Sequence, residues 1–148
     1  MSAVPDTDRD QLSSEALARR LAAVADAKQA EDVVALDMRR LVSYTDFLVI
    51  CTARNERLAK AIHEEVHQRL KQDYGVLPAT VEGERTAHWV LMDYLDCVLH
   101  VFVPELRERY RLDVLWGEAP RLELEAETGA SGRAASADRL GGAVRQAP

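Results

Sequence analysis

The feature that most constrains the fold is the unbroken apolar run from Phe47 to Cys51, which lies between Asp46 and Thr52. The run is far shorter than the roughly 20 apolar residues that a membrane-spanning helix needs, but its length suits a strand. A strand that is apolar on both faces must be covered on both. The run therefore predicts an interior strand of a sheet with further layers packed against it.

Two amphipathic helices are predicted on either side of this strand. Ser13 or Ser14 caps a first helix that continues to about Ala30. Asn55 opens a second helix, whose apolar residues recur every four positions until Gly75 supplies a stop signal. Both helices have an apolar side that can cover a sheet.

The remaining strands are short apolar or β-branched runs. With the central run included, strands are predicted at residues 32–37, 46–52, 80–82, 88–93 and 97–103. The polar break at residues 93–96 indicates a hairpin, so some neighbouring strands are antiparallel. Pro104 starts one or two short final helices. The sequence thus predicts an α/β (α+β-like) fold with a single mixed sheet of about five strands flanked by helices.

The two ends of the chain differ from its middle. Residues 126–148 are rich in Ala, Gly and Ser without a periodic apolar pattern, and the first dozen residues are mostly small and polar. Such composition indicates disorder. We expect a disordered N-terminus at 1–12, one folded domain at 13–117, and a mostly disordered tail at 118–148. The N-terminal residues contain no apolar segment typical of a secretory signal, so we expect a cytoplasmic protein.

The charge distribution limits the kinds of partner. The chain has 19 basic and 25 acidic side chains, for a net charge of −6, and the acidic excess lies in residues 82–127. Negative charge repels a phosphate backbone, which argues against direct nucleic-acid binding. The acidic half suits a basic partner protein, although a solvated face that only maintains solubility has the same composition.

A zinc hydrolase is one enzymatic alternative, because residues 63–67 read His-Glu-Glu-Val-His. In the His-Glu-x-x-His motif, two imidazoles one helical turn apart bind zinc and the glutamate activates water. Here no third ligand follows on a second helix, and His63 and His67 are expected at the solvent edge of the apolar stripe. We therefore expect no metal site.

A metal-dependent nucleotidyl or phosphoryl transferase is the stronger enzymatic alternative. Its candidate residues are aspartates at the predicted strand ends, namely Asp37, Asp46, Asp93 and Asp96. Such an enzyme also needs a glycine-rich phosphate loop and two acids close together on one strand. Neither is present, since the predicted domain has only Gly75 and Gly83 before Gly117. We expect no enzymatic activity and no cofactor.

The segment from Trp89 to Val103 leaves two interpretations of its tryptophan open. Strand alternation puts Trp89 on one face with Leu91 and Asp93, and the opposite face carries Val90, Met92 and Tyr94. Trp89 either packs in the core or anchors a partner protein from within a ring of acids. Trp89→Ala unfolds the domain in the first case and loses partner binding in the second; we expect the second.

Several separated motifs resemble the ribosomal silencing factor family, also called Iojap or RsfS. They include Tyr-Thr-Asp-Phe-Leu-Val-Ile-Cys-Thr at 44–52, Trp-Val-Leu-Met-Asp-Tyr at 89–94, Asp-Cys-Val-Leu-His-Val-Phe at 96–102 and Tyr-Arg-Leu-Asp-Val-Leu-Trp-Gly at 110–117. Shorter matches occur at 55–57 and 82–83. The resemblance covers about residues 30–117 and keeps the order of the family's motifs.

The resemblance implies a non-enzymatic domain with a nucleotidyltransferase-like topology that lacks the catalytic motif. Members bind a basic large-subunit ribosomal protein (protein fourteen of the large subunit) on the 50S subunit. They thereby block 70S formation and lower translation when nutrients run short. The resemblance also implies a homodimer. The residues that match its motif region, and that we expect at the partner contact, are Glu82, Trp89, Leu91, Asp93, Tyr94, Asp96 and His100.

Overall fold

A computed structural model describes residues 12–124 of the chain. In chain order the elements are α1 (Ser14–Ala27), β1 (Glu31–Asp37), β2 (Phe47–Thr52), α2 (Glu56–Tyr74), β3 (Thr80–Glu82), β4 (Trp89–Asp93), β5 (Cys97–Phe102), α3 (Pro104–Tyr110) and α4 (Leu112–Leu115). The five strands form one sheet in the order β1-β2-β5-β4-β3. The prediction of an α/β fold with a single mixed sheet is confirmed.

The centre of the sheet is a parallel pair. Strand β2 lies beside β5 in parallel, and the other three neighbouring pairs are antiparallel. All six residues of β2 and all six of β5 are buried. The two strands thus have the interior position that the apolar run at residues 47–51 predicts.

Helices α1 and α2 cover one face of the sheet, which we call the back face. Each has a capped start: the Ser13 hydroxyl accepts from the Ala16 amide at 3.0 Å, and the Asn55 side chain accepts from the Leu58 amide at 2.8 Å. Gly75 ends α2 in the left-handed conformation, with φ +68°. The buried residues of α2 are Ala59, Ile62, Val66 and Leu70, and they pack on the back-face core.

The opposite face, which we call the front face, has a smaller core. Its buried sheet residues are Leu36, Leu48, Ile50, Val98 and Phe102. The short helices α3 and α4 cover part of it through Leu106 and Leu112, and Trp116, the residue after α4, covers more. On strand β4, Trp89, Leu91 and Asp93 are only partly buried. The front face is therefore the one on which sheet side chains reach solvent.

The strand ends differ from the sequence-based boundaries by one residue at most, and the larger differences are at two places. Helix α1 ends at Ala27 instead of Ala30, and the chain turns at Gln29, whose φ is +74°. The packed chain also continues past residue 117. Pro120 accepts a hydrogen bond from the Asp37 amide at 2.7 Å, and the Leu122 amide donates to Ala35 at 2.9 Å. Residues 120–122 thus lie along the outer edge of β1.

The rest of the expected disorder, at 1–11 and 125–148, lies outside the described residues. Among the helices within 12–124, none combines the length and the apolar character that crossing a bilayer requires.

Candidate functional site

The strand register brings three of the expected contact residues into one row across the front face. Glu82 of β3 lies opposite Leu91 of β4, and Leu91 lies opposite His100 of β5. Directly paired residues in antiparallel strands point to the same side of the sheet. The row changes from an exposed carboxylate at the sheet edge to a buried imidazole near its centre.

Trp89 lies at the start of β4, on the same face as this row. Its ring centroid is 4.8 Å from that of Phe102 and 4.8 Å from that of Tyr110. Its indole N–H donates to Nδ1 of His100 at 3.0 Å. Because Trp89 is partly buried and belongs to an aromatic cluster, it is neither a wholly core residue nor a freely exposed one.

The loop before Trp89 fixes where β4 begins. Gly83 has φ +82°, and a β-carbon added there would lie 2.0 Å from the Trp89 carbonyl oxygen. The Ala87 amide donates to the Gly83 carbonyl at 2.9 Å, and the His88 ring contacts the Glu56 carboxylate at the start of α2. The loop backbone therefore passes directly against the backbone of Trp89, at a distance that only glycine permits.

Helix α3 adds Tyr110, which sequence reasoning left outside the contact set. Arg107 attaches α3 to the sheet: it donates to the Thr52 hydroxyl at 2.8 Å and approaches Asp113 to 3.6 Å. Tyr110 is 46% exposed while its ring contacts Trp89. The motif match around residue 110 was the available signal, but only the fold shows that this ring meets Trp89.

We call the exposed and partly exposed group Glu82, Trp89, Leu91, Asp93 and Tyr110 the Trp89 surface. It combines three apolar or aromatic side chains with two carboxylates. Burial leaves Glu82 and Tyr110 exposed and the three β4 residues intermediate. The arrangement can take an apolar side chain of a partner while its carboxylates attract basic groups around it.

The β4–β5 hairpin carries two of the expected acids at one end of this face. The carboxylate of Asp93 accepts from the Leu95 amide at 2.8 Å, and Asp96 is exposed at the turn. Leu95 lies between them with φ +74° and is 63% exposed. An exposed leucine in this strained conformation is a second residue that sequence reasoning missed.

Two of the expected contact residues are not at the surface. Tyr94 is 6% exposed and packs in the back-face core, and burial raises the pKa of its hydroxyl. Its hydroxyl has no hydrogen-bond partner within the described part of the chain. His100 is 7% exposed. The structure therefore gives neither side chain an open face on the Trp89 surface.

The residues of the zinc-hydrolase alternative do not gather into a metal site. His63 was expected at a solvent edge, but both its ring nitrogens are buried and, among residues 12–124, have no hydrogen-bond partner. Burial lowers its pKa. No three His, Cys, Asp or Glu side chains in that range lie close enough together to hold a metal ion.

The strand-end aspartates of the transferase alternative have local structural partners. Arg39 forms an ion pair with Asp37 at 2.6 Å, and its hydrogen bonds hold the pKa of that carboxyl below the usual range. Asp93 supports the hairpin turn, as described above. The backbone amide of Asp46 donates to the Asp96 carbonyl at 2.9 Å. The carboxylates of Asp37 and Asp93 thus serve an ion pair and a turn, whereas the contact between Asp46 and Asp96 joins backbone atoms and involves neither carboxylate.

Comparisons with known proteins agree with this fold. A family model described as "Ribosomal silencing factor during starvation" matches residues 11–145. A protein of Halalkalibacterium halodurans named ribosomal silencing factor RsfS is 39% identical over 114 residues, which are 77% of this chain and 97% of that protein. A crystal structure of a protein from Chromobacterium violaceum superposes with a TM-score of 0.68 at 25% identity, covering 81% of this chain and 98% of that one.

A more distant relative comes from mouse and is named mitochondrial assembly of ribosomal large subunit protein 1. It is 30% identical over 95 residues, which are 60% of this chain and 40% of the mouse protein. The family model spans most of this chain, and the match to the Halalkalibacterium halodurans protein covers nearly the whole length of that protein. This chain belongs to the ribosomal silencing factor family.

Proposed function

We propose that this protein lowers translation in the cytoplasm under nutrient limitation by occupying the 50S subunit and preventing its joining with the 30S subunit. Membership of the silencing family supports an action on the ribosome. The name of the mouse relative supports the large subunit as the site of that action. The structural observation that carries the proposal is the Trp89 surface.

The Trp89 surface has the composition of a protein-docking hot spot. Trp89 and Tyr110 form an aromatic pair with 4.8 Å between ring centroids, and Leu91 lies on the same face. Aromatic residues dominate the binding energy of protein interfaces, and surrounding polar groups contribute specificity and faster association. With Glu82 and Asp93 at its rim, this surface fits a basic ribosomal protein, in agreement with the resemblance to factors that bind protein fourteen of the large subunit.

The proposed mechanism is steric and needs no chemical step. A 50S subunit that carries this protein at the subunit interface has no room for the 30S subunit. The fraction of subunits silenced then equals the fraction occupied, which depends only on concentration and affinity. Affinity for the 50S subunit is therefore the quantity to measure.

Cosedimentation with isolated 50S subunits tests the proposal, together with a subunit-joining assay. Glu82→Lys should weaken binding because it reverses a rim charge of the Trp89 surface. Glu31→Lys is the matched control, since it makes the same charge change at an exposed position on the opposite edge strand, β1. Wild-type binding should also weaken as salt is raised, because exposed charges are screened.

The proposal fails if the wild-type protein stays in the supernatant while 50S and 30S subunits join normally in its presence. If Glu82→Lys and Glu31→Lys both bind the 50S subunit as the wild type does, the 50S subunit remains the partner, but the acidic rim of the Trp89 surface is not part of the contact.

We also propose that the protein forms a homodimer, which the family resemblance implies. Helix α4 supplies exposed apolar side chains that a second copy can cover, since Val114 is 60% and Leu115 is 68% exposed. Sedimentation equilibrium at micromolar concentration tests this, and a single 16.5 kDa species would contradict it. Leu115→Asp should shift the equilibrium toward the monomer.

A further inference from the structure

His100 lies directly beneath the Trp89 surface, although it does not reach solvent. It belongs to β5, where its neighbours across the sheet are Leu91 on β4 and Ile50 on β2. Only 7% of its surface is exposed. A partner that docks on Trp89 therefore cannot make substantial contact with His100, so any influence of this residue on docking has to act through a neighbour.

The neighbour that His100 holds is Trp89. The imidazole Nδ1 accepts the indole N–H at 3.0 Å, so the proton of the neutral ring resides on Nε2. Burial lowers the pKa of His100 to about 4. The accepting form of the ring is therefore the one present at neutral pH.

The hydrogen bond completes a set of contacts that restricts the indole. Phe102 and Tyr110 each lie with ring centroids 4.8 Å from that of Trp89. These ring contacts limit displacement of the indole, but an apolar contact does not fix its orientation about the side-chain torsions. The directional bond to Nδ1 supplies that orientation.

We propose that His100 is a positioning residue that holds Trp89 in its docking orientation before the partner arrives. The inference rests on the proposed docking through the Trp89 surface. Association costs free energy when a mobile side chain has to be ordered at the interface, and a side chain that is already ordered avoids that cost. Loss of the hydrogen bond should therefore weaken 50S binding about fivefold, which corresponds to one typical hydrogen bond.

Two substitutions separate the acceptor from the bulk of the ring. His100→Leu removes the acceptor and fills much of the space. His100→Asn keeps an acceptor atom in a position similar to Nδ1, because both atoms are bonded to Cγ. The first readout is the NMR signal of the Trp89 indole N–H in the protein alone, assigned by its disappearance in Trp89→Phe. The second readout is cosedimentation with 50S subunits.

His100→Leu should shift the indole N–H signal upfield, accelerate its exchange with solvent and weaken 50S binding about fivefold, as one lost hydrogen bond predicts. His100→Asn should restore both the signal and the affinity. The proposal is overturned if His100→Leu binds as tightly as wild type, or if His100→Asn loses as much affinity as His100→Leu.

If His100→Leu does not fold, Trp89→Phe replaces it, since it removes the donor and keeps an aromatic ring. A variant that then binds as tightly as wild type also overturns the proposal. Absence of wild-type binding to 50S subunits rejects the docking function itself, and the indole N–H signal still reports separately whether His100 holds Trp89.

Discussion

Gly83→Ala should destabilise the domain strongly and disturb Trp89 at the same time. Gly83 has φ +82°, and its added β-carbon would lie 2.0 Å from the Trp89 carbonyl oxygen and 3.1 Å from the Trp89 carbonyl carbon. Both neighbours are backbone atoms, so no side-chain rotation relieves the overlap. The loop or the first residue of β4 has to move.

Two terms contribute to the expected loss. A left-handed conformation at alanine costs about 1–2 kcal/mol. Forcing additional volume into a closely packed place costs about 1–3 kcal/mol more. The free energy of unfolding should therefore fall by roughly 2–5 kcal/mol, a large part of the about 5–15 kcal/mol that a typical domain has. Because the displaced atoms belong to Trp89, 50S affinity should fall in the molecules that remain folded.

Urea unfolding of the two matched variants Gly83→Ala and Gly75→Ala measures the difference. Gly75 also has a positive φ, +68°, but it ends α2, which covers the other face of the sheet. The control therefore carries the conformational cost without a collision with Trp89. If Gly83→Ala loses no more free energy of unfolding than Gly75→Ala, the argument from the close backbone approach is wrong.

Three further outcomes are expected. Trp89→Ala should stay folded and lose about 2 kcal/mol of stability, less than the roughly 3–5 kcal/mol that truncation of a fully buried tryptophan costs. It should also weaken 50S binding at least about tenfold. Thermal unfolding and cosedimentation measure the two effects, and a variant that unfolds places Trp89 in the core. The free energy of unfolding should decrease by up to roughly 3 kcal/mol as the pH is lowered from about 6.5 to about 4. Burial lowers the pKa of His100 to about 4, so over this range the unfolded chain binds the proton more tightly than the folded one. Urea unfolding across that range checks this, and His100→Asn should show a flatter profile. Removing residues 128–148 should leave 50S binding unchanged by cosedimentation, and a loss of binding would assign the tail a role.

The parts of the fold that were predictable are those with a strong local pattern. The run from Phe47 to Cys51 indicated its own interior position, and the cap at Asn55 and stop at Gly75 marked the second helix. The pairing of residues 120–122 with β1 was not predictable, because it consists of one isolated bridge and two hydrogen bonds with no periodic pattern. The end of α1 was placed three residues late, since a left-handed Gln29 has no strong sequence signal.

The candidate site was predictable as a set of alternating residues, but its exposure was not. Alternation correctly grouped Trp89, Leu91 and Asp93, and it already put Tyr94 on the opposite face. Tyr94 was nevertheless included among the expected contact residues, because it matches the motif region of the family. Both faces of β4 are covered to some degree, one by long helices and one by short ones. Only the fold shows that the short helices leave the Trp89 side partly open.

The segment that lies along β1 has a consequence for how copies of this chain can aggregate. Growth of a fibre by strand pairing requires every copy to offer two open sheet edges. Here the Pro120 and Leu122 backbone covers the outer edge of β1 from Ala35 to Asp37, so that part of β1 is closed to a further strand, whereas β3 is an open edge within the described residues. Two copies that pair through β3 would each use this open edge. Within the described residues, the segment at 120–122 therefore blocks strand addition along the C-terminal half of β1 and leaves β3 as the edge through which two folded domains would pair.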